Sequence, residues 1–104
     1  MANKAYIERL QMVIHHLHGA DSTWMESVPV HEIFRGETIW KGVVQVFELR
    51  GHPKAKRCYG WHHLSGKDDR DERFVTVLEI PPVTSPETAV KVAAAKEIRA
   101  KRKA

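Results

Sequence analysis

The segment Thr38–Arg50, TIWKGVVQVFELR, limits what this chain can fold into more than any other stretch. Its β-branched and aromatic residues make it a strand. Alternation puts Ile39, Val43, Phe47 and Leu49 on one face, with Lys41 and Gln45 between them. Trp40, Val44 and Val46 fall on the other. A strand that is apolar on both faces must be central in its sheet or shielded on its second side. Gly42 interrupts the run where a bulge or a close backbone approach is tolerated.

Two further strands and two helices accompany it. Ala55–Leu64 follows the turn Gly51-His52-Pro53-Lys54, and Arg73–Ile80 follows the charged loop Ser65–Glu72. Pro81-Pro82 ends the last strand, because proline cannot donate to a ladder. Tyr6, Ile7, Leu10, Val13, Ile14 and Leu17 recur at three- and four-residue steps, the pattern of an amphipathic helix, and Gly19 stops it. Ser85, Pro86 and Glu87 signal a second helix, with Ala89, Val90, Ala93, Ala94 and Ile98 on its apolar side. The segment 20–37 carries only a weak strand signal near 28–34. Pro29 confines such a strand to an edge, and Arg35-Gly36 marks a turn. The expectation is an α+β fold in the order α-β-β-β-α, with a short extra strand near 28–34. The sheet is an antiparallel meander with both helices packed on one face.

At 104 residues the chain reads as one domain, residues 1–104. Its 42% hydrophobic and 29% charged residues suit a globular protein. No apolar run nears the roughly 20 residues that span a bilayer, so no membrane is expected. The N-terminus lacks a signal-peptide pattern. One cysteine forms no internal disulfide, and a cytoplasmic location is expected. The net charge of +4 is local. Lys96, Arg99, Lys101, Arg102 and Lys103 stand against Glu97 alone, so the rest of the chain is balanced. Residues 99–104 read as a basic, frayed tail that attracts nucleic acid or another anionic surface.

Gly51–His63, GHPKAKRCYGWHH, concentrates chemically useful side chains. Alternation places Arg57, Tyr59, Trp61 and His63 on one face of the strand, and Cys58, Gly60, His62 and Leu64 on the other. With both helices over the second face, the first is an open aromatic-basic row. Its rings stack on bases and Arg57 pairs with phosphate; Lys101, Arg102 and Lys103 add charge. The same row would serve as a dimer contact, and the competing reading makes Tyr59 and Trp61 core. Cys58 and His62 share a face, yet four strand residues separate them by about 13 Å. A rival site gathers His31, His52, Cys58 and His62 in a pocket, between sheet and helices or at a dimer interface, that holds a small molecule. Of His15, His16 and His18, only His15 and His18 are spaced to meet on a helix, and no acid completes a metal site. No phosphate-binding glycine loop, zinc-finger spacing or nucleophile elbow occurs. Neither a metal nor a cofactor is expected.

The helix, three strands, helix order and the alanine-rich SPETAVKVAAAKEIRAK resemble the double-stranded-RNA-binding domain in topology. That family places lysines at the start of its last helix, where this chain has Pro86, Glu87 and Thr88. It also carries a Gly-Pro-x-His element, where this chain reads Gly51-His52-Pro53, and it has no counterpart of residues 20–37. More locally, WKGVVQVFELRGHPKAKRCYGW is similar to small uncharacterised bacterial proteins of the kind met as mobile gene-cassette products. That resemblance implies a bacterial origin and transfers no activity and no site residue.

The expectation is a non-enzymatic binding or assembly module that self-associates as a dimer, with nucleic acid as its first ligand class. Its rival is a small enzyme or small-molecule-binding protein built on the histidine and cysteine pocket.

Overall fold

The computed structural model describes residues 4–65 and 71–103, without the side chains of residues 34, 39, 63–65, 71–73 and 96–103. The elements run α1 (Lys4–His18), β1 (Asp21–Phe34), β2 (Glu37–Arg50), β3 (Arg57–Ser65), β4 (Asp71–Leu78) and α2 (Pro86–Lys103). The strands form one antiparallel sheet in the order β1-β2-β3-β4. This is an α+β fold, as expected. No helix among the described residues is long and apolar enough to cross a membrane. Residues 66–70 of the expected charged loop lie outside the described residues.

The segment that signalled least is a full strand. β1 pairs with β2 from Asp21–Arg50 to Phe34–Glu37, well beyond the short strand expected near 28–34. A register shift between Trp24 and Glu26 inserts Met25 as a bulge. The bulge reverses the side-chain alternation, which hides the strand from a period-two reading. Pro29 sits on an edge strand, where a missing donor is tolerated. Arg35 (φ 52°) and Gly36 (φ 79°) form a two-residue hairpin turn with both residues left-handed, the twist that a tight hairpin prefers.

β2 is central, and it is buried on both faces. Val44 and Val46 join Tyr59 and Trp61 of β3, Val30 of β1, and Val83, Ala89 and Val90 in one cluster. Phe47 and Leu49 join Leu10 and Ile14 of α1, together with Ala20, Ala55 and Cys58, in another. The register explains the division: Val46 pairs with Tyr59 and Tyr59 with Val77, whereas Phe47 pairs with Cys58 and Cys58 with Leu78. Neighbouring pairs point to opposite faces. The two helices therefore cover opposite faces of the sheet, and the expected one-face arrangement is corrected. The reason is the two-sided apolarity of β2 itself, since each face needs its own cover.

The ends of the helices are chemically fixed. Gly19 (φ 67°) donates its N–H to the His15 carbonyl at 2.9 Å and terminates α1. At the start of α2, Ser85 Oγ accepts the Thr88 N–H at 3.2 Å, and Thr88 Oγ1 accepts the Ser85 N–H at 2.9 Å. This is a reciprocal capping box with threonine in the usual glutamate position.

Gly42 leaves room for an indole. A Cβ at this position would lie 2.8 Å from Cζ2 of Trp40. The Trp40 ring cannot simply swing aside, because it packs on Trp61 at 5.7 Å between centroids. Gly42→Ala is therefore expected to destabilise the fold by about 1–3 kcal/mol through overpacking. Chemical denaturation measures this, and an unchanged midpoint would show that the indole is free to move.

Candidate functional site

The aromatic-basic row expected on β3 does not face solvent. Tyr59 and Trp61 are buried in the cluster that α2 covers. They cannot stack on nucleobases, and that reading of them is corrected: their face is core because α2 lies on it. Arg57, at the start of the strand, is exposed. The side chains of His63, Lys101, Arg102 and Lys103 lie outside the described residues. The Tyr59 hydroxyl donates a hydrogen bond to Glu79 Oε2. Burial and the neighbouring Glu79 carboxylate both push the phenol above its ordinary range.

The residues of the expected pocket do not converge either. Cys58 is fully buried on the α1 side. His62 lies four pairs further along β3, is exposed, and meets the Tyr6 ring in a T-shaped contact with 5.8 Å between centroids. His52 sits in the β2–β3 connection, where its Nδ1 accepts the N–H groups of Lys54 at 3.0 Å and Ala55 at 2.9 Å. That imidazole shapes the loop. His31 lies on the distal part of β1, exposed, with Nε2 at 2.7 Å from Thr38 Oγ1. His31 pairs with Lys41 and Cys58 with Phe47. Six residues of β2, about 20 Å, thus separate their rows.

Cys58 is chemically quiet. Burial pushes its thiol up to about 12, so almost no thiolate exists at neutral pH. Its Sγ lies 3.8 Å from the Tyr59 carbonyl. Iodoacetamide at pH 8 is expected to leave Cys58 unmodified until denaturant unfolds the chain. Stoichiometric alkylation of the folded protein within minutes would contradict this burial.

The helix α1 histidines do not assemble a metal centre. No group of three or more His, Cys, Asp or Glu suited to a metal occurs among the described residues. His15 Nδ1 lies 3.4 Å from Asp21 Oδ1. His18 Nε2 lies 2.9 Å from Thr76 Oγ1. Burial first, and then the nearby His52, lower the His18 pKa from its ordinary value near 6.5. The unfolded chain therefore takes up this proton before the folded one does. Stability is expected to fall as pH drops below about 6.5, down to the lowered folded-state value. Urea midpoints between pH 7.5 and 5 read this slope. His18→Gln is expected to flatten it, and an undiminished slope would assign it to another group.

The exposed feature that sequence reasoning missed lies on the β1–β2 hairpin. Pairing between β2 and β3 runs only from Glu48–Arg57 to Gln45–Gly60. Beyond it, β1 and β2 continue as a two-stranded ribbon. On one side α2 backs this ribbon, with Val28 and Trp40 packed into its cluster and Lys91 Nζ 3.5 Å from the buried Glu32 carboxylate. The other side, shared with α1, is bare. It exposes Trp24 (43%), Ile33 (56%) and Val43 (47%), along with Pro29. Met25 at the bulge is 46% exposed. The buried Gln45 Oε1 accepts both the Trp24 indole N–H at 2.8 Å and the Ser27 hydroxyl at 2.6 Å, which fixes the indole over the strand.

The apolar face Ile39, Val43, Phe47 and Leu49 was legible in the sequence. What it did not disclose is that α1 covers only the Phe47–Leu49 end. Comparison of the chain with known protein families, characterised proteins and solved structures finds no match.

Proposed function

We propose that this chain is a non-enzymatic binding or assembly module that works through the bare face of the β1–β2 ribbon. The observation that carries this reading is a row of half-exposed apolar side chains, Trp24, Ile33 and Val43, on a rigid support. Exposed apolar side chains gathered on one face, here interrupted by the His31–Lys41 pair between Val43 and Ile33, are the kind of surface that marks interaction sites. Its support is rigid because the opposite side is packed under α2 and because Gln45 holds the Trp24 indole. Trp24, Ser27 and Gln45 satisfy one another and His31 meets Thr38, so covering these groups costs little desolvation, while the exposed Lys41 ammonium on the same face calls for an acidic partner. A single buried thiol suits a reducing, cytoplasmic setting.

Nucleic acid enters this reading through charge alone. Exposed Arg57 and the basic segment Lys101, Arg102 and Lys103 support it, while the burial of Tyr59 and Trp61 takes away the stacking partners.

The test is hydrodynamic. In a clarified extract of bacterial cells producing the full chain, the protein is expected to migrate well above its monomer mass of 11.9 kDa. Nuclease treatment is expected to leave that size unchanged, and Ile33→Lys with Val43→Lys to abolish it. The paired substitution should leave the thermal midpoint within a few degrees, because both sites are surface positions. A wild-type chain that migrates as a monomer would overturn the proposal. Loss of size on nuclease treatment would replace the apolar face with the basic segment as the binding element.

A further inference from the structure

We propose that the occupant of the bare ribbon face is helix α1 of a second copy, in a two-fold dimer in which each copy inserts its α1 into the other. This rests on the reading of the ribbon face as a docking surface and names its partner.

The surface on this side of the sheet is a ridge beside a trough. The ridge is α1, anchored next to the start of β1 by Gln11 Nε2 donating to the Ser22 carbonyl at 2.9 Å. The trough is the ribbon beyond Trp24. The helix of the same chain cannot fill it, because only Gly19 and Ala20 separate α1 from β1. A helix supplied from outside can. α1 has 15 residues, about 22 Å of helix. The ribbon from Ser27 to Phe34 is about 26 Å long.

The chain also carries the complementary apolar group. Met12 stands on the outer side of α1, opposite the buried Leu10 and Ile14, and is 71% exposed. An unbranched thioether in that position suits contact with Val43 and its cross-strand neighbour Pro29. A two-fold arrangement makes this contact twice, since ridge and trough belong to the same molecule. The exposed parts of Met12, Trp24, Met25, Ile33 and Val43 set a ceiling of roughly 500 Å² of apolar area per copy, or about 1,000 Å² for the pair, the lower limit for a specific interface, so the polar rim belongs to the contact as well.

Charge fits the same pairing. Glu8 lies one turn before Met12 on α1, and Lys41 lies two residues before Val43 on the same face of β2. Both are exposed. Seating Met12 against Val43 brings the carboxylate of one copy towards the ammonium of the other, again twice. Such rim pairs steer register more than they add affinity.

The experiment uses the purified full chain, with light scattering and sedimentation from 1 to about 500 µM. The expected mass is twice 11.9 kDa. Val43→Lys and Met12→Lys sit on different elements, and each is expected to raise the dimer dissociation constant at least tenfold. Circular dichroism and the thermal midpoint of the diluted variants check that the fold survives. Lys41→Glu is expected to weaken the dimer, and Glu8→Lys in the same chain to restore it. A wild-type monomer throughout this range overturns the second copy as occupant. If the species in cell extract is then still large and still sensitive to Ile33→Lys with Val43→Lys, the ribbon face binds something else and only the dimer fails. A dimer indifferent to Val43→Lys or Met12→Lys would place the interface elsewhere. Failure of the charge swap, with both apolar substitutions effective, would overturn the Glu8–Lys41 register.

Discussion

The burial of β2 on both faces is the constraint from which the rest of this structure follows. One face of the strand presents Val44 and Val46, the other Phe47 and Leu49, and all four are removed from water. Alternation forbids a single layer from covering both sets. A helix on each side is the solution with the fewest parts, and the described residues form two helices, one for each face. α1 arrives before the sheet and settles over Phe47, Leu49 and Cys58. α2 arrives after it and settles over Val44, Val46, Tyr59 and Trp61.

The same constraint decides which chemistry is available. Once α2 lies on the Tyr59–Trp61 face, the aromatic row becomes core, and Trp40 closes on Trp61 across the space that Gly42 leaves. Once α1 lies on the Cys58 face, the thiol is desolvated and loses its nucleophilic form. The stretch Gly51–His63, which is dense in reactive groups along the chain, is dispersed in space. It becomes a loop-shaping imidazole at His52, an inert thiol at Cys58, two core rings and an exposed imidazole at His62 against Tyr6.

The helices also cover unequal lengths. α2 follows the β1–β2 ribbon outward, and the Glu32–Lys91 contact ties the ribbon to it. α1 is tethered by a two-residue link to the start of β1 and reaches no further than the proximal half. The bare ribbon face is the remainder. Its apolar side chains are consistent with alternation along β2, yet no element among the described residues covers them.

Local chemistry is legible in this sequence without any structure. The helix stop at Gly19, the helix start at Ser85, the turn at Arg35-Gly36, the edge position of Pro29 and the strand character of Thr38–Arg50 all depend on neighbours a few residues away. So does the separation of Cys58 from His62, which strand geometry alone sets. β1 was legible only in part, because the bulge at Met25 shifts the alternation about a third of the way along it. Which face each helix covers, and how far, is a different kind of fact. It depends on competition between long-range contacts, on the two-residue tether of α1 and on the point where β3 parts from β2. These decide whether Tyr59 and Trp61 are core or surface and whether Val43 is buried or bare. Alternation ranks residues into faces; only packing chooses which face meets water.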